Sequence, residues 1–154
     1  MKDYGAECAL DFTDVGFAST DEGNAAIAAK RIFHLLGGEE LDAIVVEMGD
    51  GIFGSYGVQQ IMSDPELAKL VSQVVYCAND PAGAFGGVKE LQDTYSIDPD
   101  IISGPVTDNL VGSRYIEGSL GMVAINARRE PQRLAQKVIQ NLQLKLPPGA
   151  SNES

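Results

Sequence analysis

Short apolar runs alternate with helix-patterned segments along almost the whole chain, and this alternation constrains the fold more than any other feature. Five runs read as strands: "ECALDF" (Glu7–Phe12), "DAIVVEMG" (Asp42–Gly49), "QVVYCAND" (Gln73–Asp80), "PDIISGPV" (Pro99–Val106) and "GMVAINA" (Gly121–Ala127). Between them lie helical patterns. Ala26, Ala29, Ile32, Phe33 and Leu36 recur at helical spacing within Asp21–Gly38, and Gly37-Gly38 supplies a stop. "SDPELAKLVS" has a capping Ser63 or Asp64, then Pro65 and Glu66 in its first turn. Ala82–Tyr95 is a glycine-loosened helix, Asp108–Leu120 a short one, and Glu130–Leu146 an amphipathic one with Leu134, Val138, Ile139 and Leu142 on one face.

Strands alternating with helices predict an α/β protein. The expected architecture is a three-layer, Rossmann-like sandwich around a mostly parallel sheet of about five strands. The β-branched run at Asp42–Gly49 fits a strand buried on both faces. No internal repeat or dividing linker interrupts the pattern. A single domain is expected over residues 1–146, followed by a disordered tail, "PPGASNES", over 147–154.

Right-handed crossovers gather the loops that follow parallel strands on one edge, where open α/β sheets bind ligands. Four polar loops are therefore expected to converge: "DFTDVGFAST", "EMGDGIFGSYG", "ANDPAGAFGG" and "SGPVTDN". In the first, Asp11 and Asp14 stand with Thr13, Ser19 and Thr20, a set of oxygens suited to a hard cation such as Mg2+. The plainer reading is a turn and a helix cap. Glu47 falls where a buried strand should end, and a carboxylate there needs a cation or donors to meet it. Asp50 precedes Gly51, which is also ordinary turn chemistry.

Gly49, Gly51 and Gly54 spell G-x-G-x-x-G, the spacing of a dinucleotide pyrophosphate cradle. On that reading NAD or NADP is the ligand and Asp80 is the ribose-binding acid, although it stands farther along than the usual spacing. Glu47 and Asp50 would repel a pyrophosphate unless a metal ion stood between.

Composition narrows the partners. The chain carries 22 acidic against 11 Lys and Arg residues, a net charge of -11, which disfavours nucleic acid and anionic membranes alike. Small anions remain compatible where backbone N–H groups and Mg2+ supply the positive field. The two cysteines, Cys8 and Cys77, sit in apolar segments and read as buried free thiols of a cytoplasmic protein. The start has no signal-peptide pattern, and no run has the length of a membrane span. His34 sits mid-helix beside Phe33 and Leu35 and reads as structural. "NARREPQR" reads as a solvated turn and helix start, from which Arg128 could reach a strand-end ligand.

"DAIVVEMGDG", "QVVYCANDPAGAFGGVKEL" and "DIISGPVTDN" together resemble the strands and loops of P-loop NTPases of the dethiobiotin synthetase and MinD-like class. "LDFTDVGFAST" with "AIVVEMGDGIF" resembles, more narrowly, an uncharacterised bacterial family of that class. The resemblance covers roughly Met1 to Val111. It implies a site for Mg2+ and a nucleotide, ATP or GTP. Asp11, Asp14 and Glu47 would be the metal ligands. Gly49, Asp50, Gly51 and Gly54 would line the nucleotide, together with Asn79 and Asp80 on the next strand's loop and with Thr107 and Asn109 on the loop near the base.

One element of that class is missing. No G-x-x-x-x-G-K-[ST] occurs in the 154 residues. Without the Walker Lys and Ser/Thr the phosphate cradle is absent, and no hydrolysis is expected from this chain alone. "MKDYGAECALDF" resembles the middle of a longer protein. Three readings follow: a P-loop-NTPase-like domain that needs an N-terminal P-loop segment, a Rossmann-type NAD(P) binder, and a non-catalytic interaction or homo-oligomerisation domain.

Overall fold

The computed structural model describes residues 2–145, so the expected tail at 147–154 lies outside the described residues. The described residues group into two compact units that divide after Leu70.

The first unit is helical. Helix α1 spans Ala25–Leu36, α2 Val58–Ser63 and α3 Pro65–Ala68. Asp21 and Asn24 start α1 reciprocally. The Asp21 carboxylate accepts from the N–H groups of Gly23 (2.7 Å) and Asn24 (3.1 Å), and Asn24 Oδ1 accepts from Asp21 N–H (3.0 Å). At the start of α2, Gly57 has φ of +87° and presses on Ala25, so a side chain there would be both strained and obstructed. The Asp64 carboxylate caps α3 by accepting from Glu66 N–H (2.9 Å) and Leu67 N–H (3.1 Å), with Pro65 at the first helical position. Lys30 ties α1 to α3 through Asp64 (2.8 Å) and Glu66 (2.6 Å). The unit's core is small: Ala25, Ala28, Ile52, Val58, Met62 and Leu67 are buried.

Two expected strands are absent here. Neither Glu7–Phe12 nor Asp42–Gly49 forms a strand, and every residue from Asp42 to Gly51 is exposed. Extended backbone must pair its N–H and C=O groups with a neighbouring strand, and no such neighbour exists for either run among the described residues.

The second unit carries the sheet. Strands β1 (Val75–Cys77), β2 (Ile101–Ser103) and β3 (Val123–Ala124) lie parallel in the order β1-β2-β3. Val75 pairs with Ile101, Cys77 with Ser103, and Ile101 with Val123. Helix α4 (Pro81–Tyr95) connects β1 to β2. Helix α5 (Leu110–Tyr115) runs into a π turn over Ile116–Leu120 and leads to β3. The protein is thus α/β, with a small three-stranded parallel sheet. Ala78, Ala84, Val88, Ile102, Val106, Ile116 and Ala124 form the core, and β2 is buried at all three residues.

One of the glycines that loosen α4 by propensity, Gly87, has a packing role. A Cβ on Gly87 would collide with the Tyr76 hydroxyl, which donates to the Gly83 carbonyl at 3.2 Å. The strand can therefore seat an aromatic ring against the helix only where the helix lacks side chains. Helix α6 (Pro131–Lys145) closes the described chain, with Leu134, Val138 and Leu142 half-buried and Ile139 exposed.

Candidate functional site

The carboxyl edge of the parallel sheet lies in the second unit, and three loops leave it. Asn79 and Asp80 follow β1, Gly104–Asn109 follow β2, and Ile125–Asn126 follow β3. The β2 loop is drawn back across the end of β1. Val106 N–H donates to the Ala78 carbonyl at 3.0 Å. Gly104 has φ of +87°, and a Cβ on it would stand 2.7 Å from the same carbonyl oxygen. Only glycine suits that approach.

Most of the polar groups predicted to face a ligand on these loops hold the backbone instead. The Asp80 carboxylate accepts from Gly83 N–H at 2.7 Å and caps α4. Asn109 Oδ1 accepts from Val111 and Gly112 N–H, both at 3.0 Å, and caps α5. Thr107 is buried and its hydroxyl donates to the Gly104 carbonyl at 2.7 Å. Asn79 is exposed at the edge. Four of the residues predicted to bind the nucleotide, Asn79, Asp80, Thr107 and Asn109, thus come from two loops of one sheet edge, with Asn79 as the freest of them.

A further cluster at this edge was not singled out by the sequence. Asn126, buried at the end of β3, donates from Nδ2 to the Asp108 carboxylate at 2.8 Å. Its Oδ1 accepts from the N–H groups of Arg128 (3.1 Å) and Arg129 (2.9 Å). Arg129 Nη1 donates to the Asp108 carbonyl at 2.6 Å, and the buried Ser103 Oγ accepts from Ala127 N–H at 3.2 Å. The signal was an asparagine directly after an apolar strand, in a segment read as a solvated turn. A buried amide must find partners, and here it knots the β2 and β3 loops together. Cys8 and Cys77 are free but exposed, not buried as expected; at Cys77, at the end of β1, partial desolvation still pushes the thiol up, away from the reactive thiolate form.

The other predicted residues belong to the first unit. Asp11 Oδ1 accepts from Thr13 N–H (2.7 Å) and Thr13 Oγ1 (2.6 Å), and these bonds lower its pKa. Asp14 Oδ2 accepts from Asp11 N–H at 2.8 Å. Both carboxylates therefore fold a turn with no strand before it. Glu47 is exposed, so the burial that singled it out is not found. No three His, Cys, Asp or Glu side chains gather closely enough to hold a metal ion among the described residues. Asp11, Asp14 and Glu47, as they stand, do not fit a Mg2+ ion.

Gly49, Asp50 and Gly51 are exposed, and Gly54 sits against Asp50. The glycines follow no strand, and the next helix is the six-residue α2, which starts at Val58. A dinucleotide cradle needs a strand before its glycines and a helix N-terminus directly after them. No protein-family model, curated protein or solved structure matches the chain. No helix among the described residues is long and apolar enough to cross a membrane.

Proposed function

We propose that the chain carries part of a P-loop-NTPase-like nucleotide-binding domain, has no Walker A loop of its own, and is inactive alone. One observation carries the reading: the Asn79–Asp80 and Thr107–Asn109 loops leave adjacent strands at the same carboxyl edge of a parallel sheet. Ligands of open α/β sheets bind outside that edge. In the completed domain the sheet would be the fuller, five-stranded one, with Glu7–Phe12 and Asp42–Gly49 recruited as strands. A partner segment bearing G-x-x-x-x-G-K-[ST] would supply the phosphate cradle. Mg2+ with ATP or GTP would be the cofactor pair, with Glu47 brought to the metal, and the cytoplasm the place of action.

The test is a titration with fluorescent ATP and GTP analogues in the presence of Mg2+. The chain is measured alone, and again after extension by any in-frame upstream codons that encode a Walker A loop. Binding and hydrolysis that appear only in the extended chain support the proposal. Magnesium-dependent hydrolysis at an ordinary enzymatic rate by the chain alone, abolished by Glu47→Gln, overturns it.

A non-catalytic interaction or homo-oligomerisation domain is the second reading. It is favoured by the apolar run Ile44–Met48, in which Ile44, Val45, Val46 and Met48 are all exposed. A concentration-dependent mass in solution, with no nucleotide bound by the extended chain, would select it. NAD(P) binding has less support, because the loop's exposed Glu47 and Asp50 flank its glycines with negative charge. Micromolar NADH affinity lost on replacing Gly51, with the fold intact, would restore it.

A further inference from the structure

We infer that Asp50–Gly51 is a site of spontaneous isoaspartate formation, a backbone modification that loosens the turn between Asp50 and Gln59. It is the only place in the 154 residues where Asp or Asn precedes Gly. That pairing matters because the reaction needs the next residue's amide nitrogen to reach the side-chain carboxyl carbon, and glycine has no Cβ to obstruct the approach.

The chemistry is balanced with water as the sole co-reactant. The Gly51 backbone nitrogen attacks Cγ of Asp50 and a C–N bond forms. The Cγ–OH bond breaks, and the hydroxyl leaves as water with the amide proton. The product is a five-membered succinimide. One water then adds at either of its carbonyl carbons. Opening at the former main-chain carbonyl leaves the chain running through Cβ and Cγ of residue 50, with one extra methylene in the backbone and a free α-carboxylate. Nothing is oxidised or reduced.

The Asp50 carboxylate lies against Gly54 with no hydrogen bond to a backbone N–H among the described residues, which leaves this reaction open, whereas four other aspartates are held in place. Asp50 and Gly51 are exposed and lie in a stretch, residues 42–51, that is exposed throughout. Gly51 N–H is held only by a long 3.4 Å bond to the Met48 carbonyl. By contrast, the carboxylates of Asp11, Asp21, Asp64 and Asp80 are each fixed by backbone N–H groups at 2.7–2.9 Å. Asp64 and Asp80 are in addition followed by proline, which has no N–H to attack with.

The consequence follows from packing. A Cβ on Gly54 would stand 2.6 Å from the Asp50 carbonyl oxygen, so residues 50 and 54 are already in close contact. Gln59 Nε2 donates to the Ile52 (3.0 Å) and Gly54 (2.9 Å) carbonyls and holds the same turn onto α2. An added methylene at residue 50 displaces its carbonyl from Gly54 and so loosens, from that end, the turn that Gln59 holds. The inference does not depend on any nucleotide.

The experiment ages the full chain at neutral pH and physiological temperature over days. Isoaspartate is then read by fragment mass spectrometry and by methyl acceptance from S-adenosylmethionine with an isoaspartyl methyltransferase. The expected result is a time-dependent rise at residue 50 and at no other aspartate, through a dehydrated intermediate. It should be lost in Asp50→Glu, whose ring would be six-membered, and accelerated in Asp50→Asn. Hydrogen exchange in Ile52–Gln59 should rise in the isomerised fraction. The inference is overturned if the folded chain forms no isoaspartate at residue 50 while the urea-unfolded chain does, or if methyl acceptance persists undiminished in Asp50→Glu. Unchanged exchange in the isomerised fraction would overturn the loosening of the turn.

Discussion

"AIVVEMGDG" in the first unit and "IISGPVTDN" in the second have the same grammar, a β-branched run followed by an acidic, glycine-containing loop, yet they end in opposite states. Ile44, Val45 and Val46 are 42%, 80% and 50% exposed, whereas Ile101, Ile102 and Ser103 are at 0%. The second run has β1 on one side, β3 on the other and a helix-built core against it. Among the described residues the first run has no strand beside it. β-branching therefore permits a strand without making one. The deciding terms are paired backbone groups and neighbours to pack against, and neither can be read from the run itself.

The largest expected effect tests this contrast directly. Ile102→Ala should destabilise the second unit by about 2–5 kcal/mol, the usual cost of emptying a buried aliphatic site. Val45→Ala should change stability by no more than about 0.5 kcal/mol, as for an exposed position. Urea unfolding followed by circular dichroism measures both. A Val45→Ala loss as large as that of Ile102→Ala would show that the first run is buried in solution by something outside the described residues, and the comparison would collapse.

The next effect sharpens the comparison by showing what the units share. Gly104→Ala in the second and Gly57→Ala in the first each force a side chain onto a backbone with φ of +87° and into a close neighbour. Both should cost about 1–3 kcal/mol, the range for strained backbone conformations. Gly38, with open space around it and no positive φ, should accept Ala without loss. Equal tolerance at Gly57 and Gly38 would mean that the first unit lacks the helix packing described for it.

Much of the second unit was legible. Its three parallel strands fall within Gln73–Asp80, Pro99–Val106 and Gly121–Ala127, and α4 and α6 were expected within a residue or two of their ends. Here propensity, capping and tertiary partners agree. In the first unit α1 and the capped start of α3 were legible because helix signals are local, although α3 ends at Ala68 and α2 was not expected, whereas Glu7–Phe12 and Asp42–Gly49 depend on distant strands. Among candidate site residues, the positions of Asn79, Asp80, Thr107 and Asn109 at one sheet edge followed from strand order. That Asp80 and Asn109 cap helices and that Thr107 turns inward did not, because a polar residue after a strand serves a cap or a ligand with the same sequence signature.

That ambiguity gives a smaller prediction. If Asn109 is chiefly a cap, Asn109→Ala should cost about 0.5–2 kcal/mol of stability, while Asn109→Asp keeps the capping oxygen and most of the stability. If Asn79 faces solvent, Asn79→Ala should be close to neutral. Thermal unfolding of the three variants separates these roles. A neutral Asn109→Ala would free that side chain for a ligand and bring the second unit's loop closer to what its sequence alone implied.

The smallest effect concerns acid and base, and it belongs to the first unit. Lys30 beside Asp64 holds that carboxyl below its ordinary value of 3.8, and Asp64 and then Glu66 hold the Lys30 ammonium above its ordinary value of 10.5. The signs differ. A depressed carboxyl contributes stability that is present above 3.8 and lost as pH falls through its lower folded value. A raised ammonium contributes stability that is complete below 10.5 and lost as pH rises through its higher folded value. Between those limits the contribution is flat. It is also small, because the Lys30 and Glu66 side chains are 40% and 75% exposed and salt screens them. Urea melts of the protein and of Lys30→Met should therefore differ by a constant, modest amount across neutral pH. The difference should shrink in added salt and vanish toward both extremes. A difference that grows toward acid would mean that Lys30 acts through something other than Asp64 and Glu66, and the tie between α1 and α3 would need another account.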